Sequence, residues 1–160
     1  MKLYRIYAVV MLMFLCLETE GQRQGALQKY LANARLAWER RDPDKAAEWA
    51  ERALEVNASA LEAILLLADI YKDRNMPEKE AEYLQRAKVI PGSPGLIRYR
   101  LSMALYATGD YRDSYNEISA YLDGNPSPLL VDKAGMILIN SAFAMKAVEN
   151  PVGFHPESLG

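Results

Sequence analysis

Few residues in this chain have side chains suited to covalent or metal chemistry. There is one cysteine, Cys16, and one histidine, His155. A zinc site draws about four thiolate, imidazole or carboxylate ligands together, and these two cannot supply its soft core. One cysteine excludes an internal disulfide. Cys16 also stands in a segment whose composition marks it for removal, which argues against a Cys–His nucleophile pair. Asp69, Asp73, Glu78 and Glu80 cluster near one expected turn. Two carboxyls can do acid–base work when held across a cleft with one pKa raised. Acids at helix starts have a simpler role there, facing the positive end of the helix dipole. No enzyme activity, metal or cofactor is expected.

The totals narrow the partners. The chain has 160 residues, enough for one domain, and a formal net charge of −2 with both signs mixed throughout. No basic block stands ready to neutralise phosphates, so nucleic acid is not expected as a partner. Ten tyrosines and two tryptophans supply amphipathic rings, which helical repeats use for packing between helices.

The elements that position these residues follow a spacing of 34. Ala34, Ala68 and Ser102 stand 34 apart, as do Ala53, Ala87 and Tyr121, and Arg41, Asn75 and Gly109. Recurrent small residues and a recurrent turn at this interval indicate stacked helical hairpins, which commonly hold other proteins. Helices are expected over 27–40 and 43–56, then 61–72 and 77–90, then 96–107 and 111–122. Pro43 and Pro77 suit first helical turns, and Gly109 suits a left-handed helix end. Pro91–Gly95 and Asp123–Pro128 punctuate the units. A strongly apolar helix follows over 129–148 and needs cover on much of its surface.

The ends read differently. Lys2 and Arg5 precede an apolar run of twelve residues, Ile6 to Leu17, and then polar Glu18 to Gly21. This is the layout of a secretory leader over 1–21, short for a membrane span of about twenty residues. An uncleaved anchor or an apolar first helix is the alternative. The helical domain then occupies 22–149, and 150–160 forms an irregular tail or linker to a missing domain. A mature protein working in the periplasm, or on the periplasmic face of the outer membrane, is expected.

The repeats resemble the tetratricopeptide repeat family. In the third unit Leu101, Ser102, Tyr106, Gly109, Asp110 and Tyr111 stand at the family's leucine–small pair, aromatic and turn. Leu67, Ala68, Tyr71, Ala87 and Pro91 match in the second, and Tyr30, Ala34, Ala46, Ala53 and Leu54 in the first. Asn33, Glu80 and Ser114 depart from the pattern. The resemblance implies an all-α fold, a right-handed superhelical stack of three hairpins with a C-terminal capping helix. The leader, repeats, apolar helix and tail together resemble the amino-terminal part of Bacteroidetes envelope proteins. These join such repeats to a WD40-like propeller and an OmpA-like peptidoglycan-binding domain, some in type IX secretion. That resemblance implies a scaffold for another envelope protein, or a support for a propeller absent here. It also implies lipidation at Cys16, although Phe14 and Leu15 are poor flanks for it.

By position, the family's ligand-bearing face would include Gln28, Leu31, Arg35, Trp38 and Glu39. Glu62, Leu65, Asp69, Lys72 and Asp73 would follow from the second unit, then Leu96, Tyr99, Met103 and Tyr106 from the third. Mixed charge with aromatic anchors suits a protein or peptide partner. Arg35 can grip a carboxylate with two N–H groups, and Lys72 can act as a point charge. Alternatively, Trp38 and Tyr99 fill the space between helices and Arg35 pairs with Glu39. The lysine and asparagine clamp of chaperone-binding relatives is missing, so no affinity for chaperone tails is expected.

Overall fold

A computed structural model describes the backbone of residues 2–151 and the side chains of residues 20–151. The side chain of Cys16, His155 and the tail from residue 152 onward lie outside the described residues. All described regular elements are helical. They are α1 (Lys2–Glu39), α2 (Pro43–Val56), α3 (Leu61–Asp73), α4 (Pro77–Lys88), α5 (Leu96–Thr108), α6 (Tyr111–Asp123) and α7 (Val131–Glu149). A 3₁₀ turn over Pro128–Leu130 leads into α7. Every interior boundary falls within two residues of its expected place. The first helix differs: α1 is continuous from Lys2, where the repeat pattern predicts a start at Leu27.

The turn residues explain why the helices break where they do. Arg41, Asn75 and Gly109 all have positive φ, at 60°, 54° and 87°. Each donates its N–H to the carbonyl three residues back, on Trp38, Lys72 and Tyr106. The following residues, Asp42, Met76 and Asp110, donate to the carbonyls five back, on Ala37, Tyr71 and Leu105. This pair of bonds is the Schellman helix end, repeated three times at the sequence interval. Pro43 and Pro77 then open the next helix where a missing N–H costs nothing. Asp42 adds a cap by accepting from the Lys45 N–H at 3.1 Å.

Only the third turn carries glycine, the residue that adopts positive φ without strain. A Cβ at Gly109 would meet no atom within 4 Å, so Gly109→Ala tests backbone strain alone. It is expected to cost about 1 kcal/mol. Arg41→Gly should do the reverse and stabilise by about 0.5 kcal/mol, strain relief exceeding the added freedom of the unfolded chain. Urea melts of the two variants check both signs.

The chain divides into two compact units, residues 1–70 and 71–160, with the division inside α3. In the first, α1 packs against α2. Ala34, Ala46, Ala50 and Ala53 are fully buried and permit close approach, and Tyr30 stacks on Trp49 with centroids 5.7 Å apart. In the second, α5 lies against α4 and α6, and α7 rests chiefly on α6. The small or aromatic residues at the 34-residue spacing are all buried: Ala34, Ala68, Ser102, Ala53, Ala87 and Tyr121.

Two departures from the repeat pattern have structural reasons. Ser114 is buried and its hydroxyl donates to the Ser102 carbonyl at 2.8 Å, which leaves it to accept from the Ser141 hydroxyl at 3.0 Å. One hydroxyl thus ties α6 to both α5 and α7. Glu80 is buried at the start of α4 with its carboxylate 3.7 Å from the Arg100 guanidinium of α5. Glu117 on α6 similarly accepts from Lys88 of α4 and from Arg98 of α5, the latter at 2.7 Å.

The apolar last helix is not covered as its composition suggests. Only Ala134 and Ser141 are buried, seven residues apart on the stripe that meets the rest of the unit. Met136, Ile139 and Phe143 are 64, 69 and 73% exposed. The helix buries Ala134 and Ser141, half-buries Ile137 and Leu138 beside them, and turns Met136, Ile139 and Phe143 outward.

Candidate functional site

A groove opens in the first unit where the last turns of α1 face the first turns of α3. It is lined by Arg35, Trp38 and Glu39 from α1, and by Leu61, Glu62, Leu65, Leu66 and Asp69 from α3, and encloses about 590 Å³. Its position follows from helical spacing. Ala34 and Ala37 of α1 are buried, so Arg35, Trp38 and Glu39 fall on the flank beside that stripe. On α3, Ala63, Ile64, Leu67 and Ala68 are buried, leaving 61, 62, 65, 66 and 69 to face the groove.

Six of the residues expected from sequence meet here: Arg35, Trp38, Glu39, Glu62, Leu65 and Asp69. Leu61 and Leu66 were not anticipated. Their signal was the excess of apolar residues in α3 beyond what one buried stripe requires.

The electrostatics differ from the expectation for Arg35. Its Nε and Nη2 both donate to the Glu62 carboxylate, one nitrogen to each oxygen. The pairing is with Glu62, twenty-seven residues on, and not with Glu39. Hydrogen bonding to Glu62, then its opposite charge, raises the Arg35 pKa further above its ordinary value. The guanidinium is therefore always charged and already engaged. Arg35 and Glu62 neutralise one another, and the exposed Glu39 adds negative charge at the rim. Its floor is the Trp38 ring and three leucines. The arrangement can seat an apolar side chain and attract cations beside it.

The remaining expected residues scatter. Gln28 is exposed on α1 outside the groove, whereas Leu31 is a core residue at 6% exposure and cannot meet a partner. It sits three residues before Ala34, on the same buried stripe. Asp73 is exposed at the end of α3. In the second unit, Lys72 and Met103 line a smaller depression of about 340 Å³ with Glu80 and Arg100. Leu96 is exposed. Tyr99 packs on Tyr121, centroids 5.6 Å apart, and fills space between α5 and α6. Tyr106 meets Tyr111 edge-on at 5.1 Å. No cluster of three or more histidine, cysteine or acidic side chains suited to a metal occurs among the described residues.

Neither a protein-family model nor a curated protein matches the chain. Solved structures do. The TPR domain of Sgt2 from Aspergillus fumigatus aligns with a TM-score of 0.59 at 17% identity, covering 84% of this chain and 90% of that one. MamA protein aligns with a TM-score of 0.55 at 14% identity, covering 87% and 92%. Identities this low carry the fold alone. With the three repeated helix ends and the buried small residues, they identify a tetratricopeptide-like all-α helical-repeat fold.

Proposed function

We propose that the protein is a non-enzymatic scaffold that docks another cell-envelope protein, with the Trp38 groove as the seat of an apolar peptide segment flanked by lysine or arginine. The single observation that carries this is the groove itself, an apolar floor with the negative charge of Glu39 at its rim, on a helical-repeat frame. The fold is one used as a non-catalytic interaction module. The secretory layout of residues 1–21 supports placement in the periplasm or at the periplasmic face of the outer membrane. Lipidation at Cys16 and a part in type IX secretion or envelope assembly belong to the same proposal.

The test uses synthetic peptides bearing leucine or phenylalanine between two lysines, with glutamate-flanked versions as controls. Trp38 lines the groove, so binding shifts tryptophan emission. Only the lysine peptides should bind. Trp38→Ala should weaken them at least about tenfold, because a buried aromatic anchor carries much of such an interface. Gln28→Ala, on the same helix but outside the groove, should leave affinity unchanged. Equal binding of the glutamate peptides, or indifference to Trp38→Ala, refutes the site.

A second reading rests on the uncovered side of α7. There the repeats only support a further domain, a propeller with a peptidoglycan-binding module, and α7 forms the joint. Full affinity of the isolated chain for an envelope partner through the groove would decide against it.

A further inference from the structure

The large side chains that α7 turns to solvent have a regular order. Met136, Ile139 and Phe143 follow one another at intervals of three and four, the spacing of a coiled-coil seam. Asp132 and Lys146 lie on the same stripe, each seven residues from Ile139, so each stands about 10 Å from it along the helix axis. Both are exposed, and among the described residues neither forms an ion pair. At the C-terminal end of α7, Arg112 of α6 is paired with Glu149 at 3.1 Å.

We infer that the outward face of α7 is a homodimer interface in which the α7 helices of two copies cross antiparallel about a two-fold axis at Ile139. Rotation about that axis sets Ile139 on its own copy. Met136 and Phe143 lie three and four residues to either side, so each methionine comes within one residue, about 1.5 Å along the axis, of the other copy's phenylalanine, a favourable sulfur–aromatic contact. Asp132 comes level with the other copy's Lys146, twice. Self-complementarity of this kind is what a two-fold interface demands. A parallel pairing would set aspartate on aspartate and lysine on lysine, so the charges select the antiparallel arrangement. A seam of about four turns per copy is at the small end of specific interfaces, and a micromolar dissociation constant is expected.

The segment Pro128–Glu149 is also long and apolar enough to cross a membrane, with mean hydropathy 1.3. Its stripe of Ala134 and Ser141 is committed to the body of the unit, however, and the charges at both ends of the exposed seam suit a protein surface.

Sedimentation equilibrium of the full chain from about 5 to 200 µM should show reversible dimers. Ile139→Asp should leave monomers with an unchanged helical spectrum. Asp132→Lys and Lys146→Asp should each weaken the dimer about fivefold or more, since each replaces two attractive pairs by two repulsive ones. The double exchange Asp132→Lys/Lys146→Asp should restore the affinity. Monomers throughout the range, dimers indifferent to Ile139→Asp, or failure of the double exchange to restore affinity overturns the interface. Flotation of the protein with anionic phosphatidylglycerol vesicles, abolished by Ile139→Asp, would give the face to a membrane and overturn it likewise.

Discussion

Ile118→Ala is expected to destabilise the protein by about 3 kcal/mol, the largest single effect of any substitution proposed here. Ile118 is fully buried on α6 in a cluster with Tyr121 and Ala134, against which Tyr99, Leu122, Leu130, Ile137 and Leu138 pack. Truncation removes three buried carbons and leaves a cavity that rigid helices on both sides cannot close. The melting temperature should fall by about 10 °C for a chain of this size. Ile118→Val removes one carbon and should cost about 1 kcal/mol. The location of the damage is also foreseeable. In a helical stack each element leans on its neighbours, and α7 has chiefly α6 to lean on. Hydrogen exchange in α7 should therefore accelerate more than in α4. Equal acceleration throughout the second unit would show that α7 is no separable terminal layer.

The same cluster shows how far the sequence reaches. The interval of 34 identified the turns because their requirement is local: a chain reversing at the end of a helix needs one residue with positive φ, and Arg41, Asn75 and Gly109 all supply it. It identified the buried small residues because close helix approach leaves room for little else. For α7, apolar content says how much surface wants cover and not whether this chain provides the cover. Ala134 and Ser141 were the better guide, because small residues mark the face that touches.

The groove was legible in part for the same reason. Helical register places Arg35, Trp38 and Glu39 on one flank whatever the partner helix does. That Arg35 answers to Glu62 depends on how α1 and α3 are juxtaposed, and no rule of local spacing reports a contact between residues 27 apart. Leu31 failed because a one-residue difference along a helix turns a side chain by about 100° from surface to core. The signs of charge were readable, but their net effect was not. Once Glu62 holds the only guanidinium, the groove attracts cations, where Arg35 alone suggested affinity for carboxylates.

Arg100→Met supplies the sharpest test of the frame that holds the second unit. The Glu80 side chain is 11% exposed and that of Arg100 22%, with 3.7 Å between carboxylate and guanidinium. Replacing Arg100 takes this cation away from a carboxylate with little access to water. Breaking a buried pair typically costs about 3–5 kcal/mol. Glu80 lies in the first turn of α4, where the helix dipole favours negative charge, and Arg100 keeps some solvent. A loss of about 2 kcal/mol is expected. Glu80→Ala/Arg100→Met removes both charges and places at position 80 the alanine that the repeat pattern prefers. The double variant should regain most of the loss, within about 0.5 kcal/mol of the original protein, because neither desolvated charge remains. Urea denaturation of the two single variants and the double one measures the coupling directly. A neutral Arg100→Met, or a double variant no more stable than Arg100→Met, would mean that Glu80 reaches water or another cation, and that α4 and α5 are held by their apolar surfaces alone.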